Sequence, residues 1–185
     1  MTEKQSVDIQ RFADIEYNLS VIRERIAKAA SLSGRSADDV TLMAVTKTVD
    51  PVYINHAIDC GIDLIGENKV QEYLGKKPYL RECEAHLIGH LQTNKVRQIV
   101  GEVTMIQSVD SLRVAESISN EAKKADMTAN VLLEINIGDE VSKTGFDKVE
   151  FEDSLSQISV LPNLKVKGLM TIPPICGNNS ELTKF

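Results

Sequence analysis

The sequence has few of the features that mark secreted or membrane-spanning proteins. Its three cysteines, Cys60, Cys83 and Cys176, are far apart and form no Cys-x-x-Cys pair, so neither a disulfide framework nor a zinc knuckle is expected. No apolar stretch approaches the length that a bilayer requires, and the amino terminus has no apolar signal core. We therefore expect a soluble protein of the reducing cytoplasm.

A basic surface is also missing. The formal net charge is -6 and the sequence has no long run of like charges, which argues against nucleic acid and anionic membranes as partners. What is present is an ordinary globular composition, with 42% apolar and 26% charged residues in 185 positions. A chain of this length can bury a core. We predict a single domain over residues 1–185.

The apolar residues predict one helix followed by a repeated pattern. Near the amino terminus they recur at three- and four-residue steps, which is typical of an amphipathic packing helix. The residues on this stripe are Ile9, Phe12, Leu19, Ile22, Ile26 and Ala29. From Val40 onward, short apolar runs alternate with helical stretches in six units. The strands are predicted over residues 40–46, 64–67, 85–89, 105–109, 130–137 and 165–172.

Helix boundary signals agree with this alternation. Asp50 is a suitable cap with Pro51 at the first helical position, and Gly61 follows the last turn of the same helix. A later helix is expected to open at Asp110 or Ser111.

Repeated strand-helix units require parallel strands with right-handed crossovers, so the candidates are a doubly wound sheet and a (β/α)8 barrel. No dinucleotide-binding glycine fingerprint follows the first strand, which favours the barrel. Six units are two short of closure. We predict an α/β protein, a (β/α)8 TIM-type barrel with about six of eight βα units and an extra amino-terminal helix.

Lys47 is the first candidate site residue. It closes the first predicted strand and a helix start follows at once, so its amine lies at the carboxyl end of a strand, where barrels and open α/β proteins build their sites. That is the position of a Schiff-base lysine. The alternative is an exposed loop lysine with no role, because charged side chains are normally solvated.

Other candidates follow later strands and should reach the same rim. Asn68 offers an amide that can orient a ring hydroxyl or a carboxylate, although it can equally cap the next helix. His90 can stack on or hydrogen-bond a ligand, or be satisfied by the loop backbone. Lys143 can reach across the rim toward a ligand, or remain an exposed lysine.

Two motif-like patterns carry no site. His86 and His90 are four residues apart, but they lie on a strand and its following loop and lack the glutamate of a helical zinc motif. Residues 138–144 do not form a Walker A loop, because Ser142 and not glycine stands directly before Lys143. We predict no metal site.

The rim residues resemble, in the same order, the motifs of the pyridoxal phosphate homeostasis protein family. The resemblance runs from about Val40 to Pro174, with a similar leading helix. The motifs are Ala-Val-Thr-Lys-Thr at 44–48, Gly-Glu-Asn-Lys-Val-Gln-Glu at 66–72, His-Leu-Ile-Gly-His-Leu-Gln-Thr-Asn-Lys at 86–95, Ser-Val-Asp-Ser-Leu at 108–112, Ser-Lys-Thr-Gly-Phe at 142–146 and Gly-Leu-Met-Thr-Ile at 168–172.

The resemblance implies a fold-type III pyridoxal 5'-phosphate (PLP) barrel, like the amino-terminal domain of alanine racemase. Lys47 matches the lysine that forms a Schiff base with the cofactor aldehyde, and Asn68, His90 and Met170 match residues around the ring. The family is regarded as non-enzymatic, holding and supplying PLP inside the cell. PLP-dependent apoenzymes are the implied recipients, and the chain is expected to be a monomer or weak dimer.

One departure from the family pattern concerns the phosphate. The family holds it with segments after the seventh and eighth strands, and this sequence stops before either. We therefore expect a carboxyl-terminally truncated chain that is unstable or aggregates alone, because an unclosed barrel exposes strand edges. Two rival functions stay open: a PLP-dependent racemase-like enzyme, which needs a further acid or base, and a PLP-independent Schiff-base aldolase.

Overall fold

The computed structural model describes residues 7–138, 144–147, 151–175 and 177–183. Strands and helices alternate along the chain after a long first helix. The strands are β1 Met43–Val45, β2 Leu64–Glu67, β3 Glu84–Leu87, β4 Met105–Val109, β5 Ala129–Glu134 and β6 Leu164–Met170. The helices are α1 Ile9–Leu32, α2 Pro51–Asp59, α3 Val70–Lys76, α4 Val96–Ile99, α5 Leu112–Lys124, α6 Phe151–Ser159 and α7 Asn179–Leu182.

The chain forms two compact units, residues 1–66 with 74–84 and residues 67–73 with 85–185. In the first unit β1 and β2 are parallel, with Met43 opposite Leu64, and α1 packs on α2. Ile54 of α2 and Ile65 of β2 are buried there. The single domain predicted over residues 1–185 stays a prediction.

The second unit contains four strands in chain order, β3, β4, β5 and β6, and each pairs in parallel with the next. Its core is made by apolar residues from both strands and helices. Leu87, Ile99, Ile118 and Leu133 are completely or almost completely buried there. Because parallel strands end at the same edge, the residues that follow β3 to β6 lie along one rim.

The predicted strands are confirmed, and their ends differ by a few residues. β2 and β4 have the predicted bounds. β1 begins three residues later than predicted, because Val40 caps a short 3-10 helix, Ala37–Asp39, and continues in extended backbone before pairing starts. β5 stops at Glu134, after which Ile135 forms only an isolated bridge to Phe146.

The predicted caps are confirmed for α2. The Asp50 side chain accepts a hydrogen bond from the Val52 N–H at 2.9 Å, and Pro51 is the first helical residue. Gly61 follows the helix with φ +83°, a conformation that a residue without Cβ adopts at no steric cost. No helix among the described residues is long and apolar enough to cross a membrane.

The stripe predicted for α1 is partly wrong. Phe12, Leu19 and Ile26 are half-buried, whereas Ile9 and Ile22 are exposed. Phe12, Leu19 and Ile26 are spaced seven residues apart, which is just under two helical turns, so they lie along one line on the helix surface. Ile9 and Ile22 lie on opposite sides of this line. The packing face is therefore narrower than the apolar pattern indicated.

Candidate functional site

Lys47 lies in a tight turn that follows β1 in the first unit. The residue before it, Thr46, is buried, and its N–H donates to the Gly66 carbonyl at 3.0 Å. The Thr46 carbonyl accepts the Val49 N–H at 3.0 Å, which closes a four-residue turn with Lys47 in its second position. The Lys47 side chain is exposed, and no hydrogen bond or ion pair joins it to another described residue.

The backbone of this turn is strained at Thr48. Its φ is +62°, in the left-handed region that β-branched residues rarely adopt. Such a residue costs about 1–3 kcal/mol and persists only where its surroundings hold it. Here the Lys76 ammonium donates to the Thr46 carbonyl at 2.8 Å, from outside the turn. The turn that presents Lys47 is therefore anchored at Thr46, by the hydrogen bond to Gly66 and by the one from Lys76.

The rim of the second unit includes four described side chains that are polar or polarisable. His90 follows β3 and Asp110 follows β4, while Glu134 and Met170 are the last residues of β5 and β6. Glu134 and Met170 are directly opposite each other in the sheet register. The parallel topology therefore brings these four residues together, although about 80 positions separate the first from the last.

His90 is held by a carboxylate. The interpretation in which the loop backbone satisfies this histidine is therefore wrong. Its Nδ1 lies 2.7 Å from Oδ2 of Asp110. The Asp110 side chain is 8% exposed and the His90 side chain 51% exposed. A histidine oriented through Nδ1 can bind another partner through Nε2. Nε2 is therefore the ring nitrogen of His90 that is available to a ligand.

Glu134 is the buried acid of the rim. Burial raises the pKa of its carboxyl group, and the negative charge of Asp110 adds to this. Two neighbours lower the pKa of Glu134. The Thr144 hydroxyl donates a hydrogen bond to Oε1 at 2.9 Å, and His90 acts through its charge. The protonation of Glu134 therefore responds to the charges of its neighbours Asp110 and His90.

Glu134→Gln is expected to make the protein less sensitive to pH. The folded pKa of Glu134 is raised, so its contribution to stability is complete below the ordinary glutamate value of 4.5 and is lost as the pH rises through the folded pKa. Glutamine keeps the acceptor for Thr144 and carries no charge. Urea unfolding from pH 4 to pH 8 should show the variant gaining stability over the wild type as the pH rises; curves that stay parallel would contradict the assignment. Glu116→Gln, which removes an exposed carboxylate from α5, is the matched control.

Asn68 has the clearest unmet hydrogen-bonding group of the second unit. Its Oδ1 is buried and accepts no hydrogen bond from any described residue. The helix-cap interpretation is therefore wrong, since a capping oxygen would accept an N–H from the first turn of α3. Gly89 lies against the backbone of Asn68 and fixes its position. A buried amide oxygen without a donor costs free energy, and a ligand that donates a proton would remove that cost.

Three residues from the sequence predictions remain: Met170, Lys143 and His86. Met170 is half-buried at the end of β6, and Lys143 lies outside the described residues. His86 is buried and its Nδ1 is 2.8 Å from the Gln107 amide nitrogen, so a role in the sheet accounts for it.

Asp110 and Glu134 were not predicted as rim residues. For Asp110 the available signal was position, because it directly follows a predicted strand, as Lys47 does. Glu134 lies inside the strand predicted over residues 130–137, and the observed end of β5 at Glu134 places it at the rim. The sequence predicts Asp110 as a possible helix start, within the Ser-Val-Asp-Ser-Leu motif at 108–112.

Comparison with known proteins identifies the family. The model of the alanine racemase N-terminal domain matches residues 15–183. A pyridoxal phosphate homeostasis protein of Aquifex aeolicus is 39% identical over 169 residues, which is 90% of this chain and 74% of the relative. The predicted α/β fold class is confirmed by the family match, with six parallel strands and their helices in the described residues.

Solved structures agree with this assignment. A protein from Bifidobacterium adolescentis superposes with a TM-score of 0.89 and 34% identity, over 98% of this chain and 78% of that one. PipY of Synechococcus elongatus, solved with PLP bound, has a TM-score of 0.74 and 31% identity, over 86% of this chain and 76% of its own. The chain therefore belongs to the pyridoxal phosphate homeostasis protein family, within the wider alanine racemase N-terminal domain family.

Proposed function

We propose that this protein binds PLP and takes part in intracellular PLP homeostasis, as a carrier that buffers or supplies the cofactor without catalytic turnover. The observation that carries the proposal is Lys47, an exposed amine without a partner among the described residues, on a strained turn at the carboxyl end of β1. The PLP bound to PipY and the names of the curated relatives support it.

The residues present fit the chemistry of this cofactor. When PLP is bound, its aldehyde supplies an electrophile that a lysine amine holds as a Schiff base. Lys47 is the proposed anchor. Asn68 Oδ1, buried and without a donor, is the proposed acceptor for a ring substituent, and His90, oriented by Asp110, is a proposed ring contact. Met170, at the end of β6, and Lys143 are proposed as further contacts.

The absence of turnover and the partners are also part of the proposal. A racemase-like enzyme would need an acid and a base placed to act on a bound amino acid, and the one described histidine of the rim is engaged with Asp110. We propose PLP-dependent apoenzymes as recipients, a monomer or weak dimer as the assembly, and the cytoplasm as the compartment, where free cysteines such as Cys60 and Cys83 stay reduced.

A titration of the 185-residue chain with PLP tests the proposal. We expect saturable binding with one PLP per chain, followed by absorbance of the Schiff base and by intact mass after borohydride reduction. Incubation of the loaded protein with L-alanine and other amino acids, analysed by chiral chromatography, should give no D-isomer. Modification scattered over several lysines would contradict specific binding, and D-isomer formation would favour the racemase.

A further inference from the structure

A second group of ligand-type side chains lies in the first unit, between α1 and α2. Glu16 of α1 and His56 and Cys60 of α2 and its cap each direct one ligand atom to a common point. The His56 Nε2 atom is 2.9 Å from Glu16 Oε1 and 3.8 Å from Cys60 Sγ. All three ligand atoms lie within 4.8 Å of one another.

The local sequence explains why these atoms converge. His56 and Cys60 are four residues apart, so they lie one above the other on the same face of α2. The His56 imidazole is held from the side by the Phe12 ring, with 4.5 Å between the ring centroids. The His56 side chain is 23% exposed and the Glu16 side chain 60% exposed. The group is therefore held in place at His56 and open to solvent at Glu16.

Hydrogen bonding leaves one of the three groups out in either tautomer of His56. One ring nitrogen carries either a proton or a lone pair. If Nε2 of His56 carries the proton, it donates to Glu16 and gives the Cys60 thiol no acceptor. If Nε2 carries the lone pair, it can accept from the thiol and faces a carboxylate oxygen that has no proton to share. A cation at the centre of the group would interact favourably with all three atoms.

We infer that Glu16, His56 and Cys60 form a binding site for a divalent cation of the zinc type. Imidazole nitrogen, thiolate sulfur and carboxylate oxygen are the ligands that Zn²⁺ takes in proteins, at roughly 2.0–2.3 Å. In a tetrahedral site these bond lengths separate neighbouring ligand atoms by roughly 3.3–3.8 Å. The His56–Cys60 distance already lies in this range, and the His56–Glu16 pair needs to open by a few tenths of an ångström.

The binding reaction balances without any further reactant. The Cys60 thiol releases its proton to solvent and the His56 proton resides on Nδ1. The hydrated cation releases the water ligands that Oε1, Nε2 and Sγ replace, and it releases further water as its coordination number falls to four. A water molecule keeps the fourth position, on the exposed side of Glu16. The cation connects α1 to α2, so its proposed effect is to stabilise the first unit. This site is independent of PLP binding.

Cobalt substitution tests the inference, because Co²⁺ bound by a thiolate in a tetrahedral site gives intense ligand-field and charge-transfer absorption. The experiment uses the untagged 185-residue chain, titrated with Co²⁺ and then with Zn²⁺. We expect one equivalent of Co²⁺ to bind, with thiolate-to-cobalt absorption that Zn²⁺ abolishes by displacement. The thermal unfolding temperature should rise with either metal.

Cysteine variants show which thiol gives the thiolate-to-cobalt absorption. Cys60→Ser should abolish the thiolate band and weaken Zn²⁺ binding by more than about 100-fold, since loss of a direct ligand exceeds the roughly 10–100-fold cost of losing a group that only hydrogen-bonds a ligand. The double variant Cys83→Ser/Cys176→Ser keeps Cys60 as the sole thiol and should behave as the wild type. Burial raises the pKa of the Cys83 thiol, which makes it a poor competing ligand.

Glu16→Gln provides a second measurement on an exposed helix position, where the fold should tolerate the change. It should weaken Zn²⁺ binding at least 10-fold while circular dichroism of the metal-free protein is unchanged. Absence of a thiolate band in the wild type, or an unchanged band and affinity in Cys60→Ser, would overturn the inference. Binding that Cys60→Ser removes but Glu16→Gln leaves intact would overturn the three-ligand site.

Discussion

Replacing Lys47 with alanine is expected to abolish the borohydride-stable PLP adduct. The reason is chemical, because only an amine can condense with the cofactor aldehyde, and alanine has none. Peptide mapping of the reduced wild type should place the added mass on the peptide that contains Lys47. The loss should be essentially complete, whereas the fold should change little, since the Lys47 side chain is exposed and forms no hydrogen bond or ion pair with a described residue.

Two matched variants sharpen this prediction. Lys47→Arg keeps the positive charge but presents a guanidinium that stays protonated, so it should fail to form the adduct although PLP can still be attracted electrostatically. Lys123→Ala removes an equally exposed lysine from α5 and should label as the wild type does. An adduct that persists in Lys47→Ala at wild-type yield would show that the anchor is another amine and would remove the main support for the proposed function.

Strand positions were predictable because they depend on local patterns. β2 and β4 are short apolar runs with turn signals on both sides, and their bounds agree with the sequence prediction. The ends of β1 and β5 depend on where pairing stops and not on composition. Val40 has extended backbone, but residues 40–42 lie outside the β1–β2 ladder, because the chain there leaves the 3-10 helix Ala37–Asp39.

The candidate site was only partly predictable for a different reason. Position along the chain indicated Lys47, Asn68 and His90, since each follows a strand. The interactions that define their chemistry are tertiary: Asp110 is 20 residues from His90, and Thr144 is 10 residues from Glu134.

The same limit applies to the proposed cation site. The spacing of His56 and Cys60 was visible in the sequence, but Glu16 lies 40 residues before His56 and joins the group only through the packing of α1 on α2.

Gly89→Ala is expected to destabilise the second unit and to weaken PLP binding at the same time. A Cβ atom at this position would lie 2.7 Å from the Asn68 Cα and 2.9 Å from the Asn68 carbonyl carbon, and would also contact the Asn68 carbonyl oxygen. These are backbone atoms, so no side-chain rotation relieves the overlap. We expect a loss of about 3 kcal/mol in the free energy of unfolding, at the upper end of the usual cost of overpacking.

Gly75→Ala is the matched control, and it should act in the opposite direction. Gly75 lies in α3, and a Cβ atom there would meet nothing within 4 Å. Alanine within a helix is more stable than glycine by about 0.5–1 kcal/mol, so this variant should be slightly more stable than the wild type. Urea unfolding measures both changes on one scale. The contact between Gly89 and Asn68 also positions the buried Asn68 Oδ1, so PLP affinity measured on the folded fraction should fall only in Gly89→Ala. A Gly89→Ala variant within 0.5 kcal/mol of the wild type, with unchanged PLP affinity, would show that this close approach has no role in the stability of the rim or in holding the cofactor.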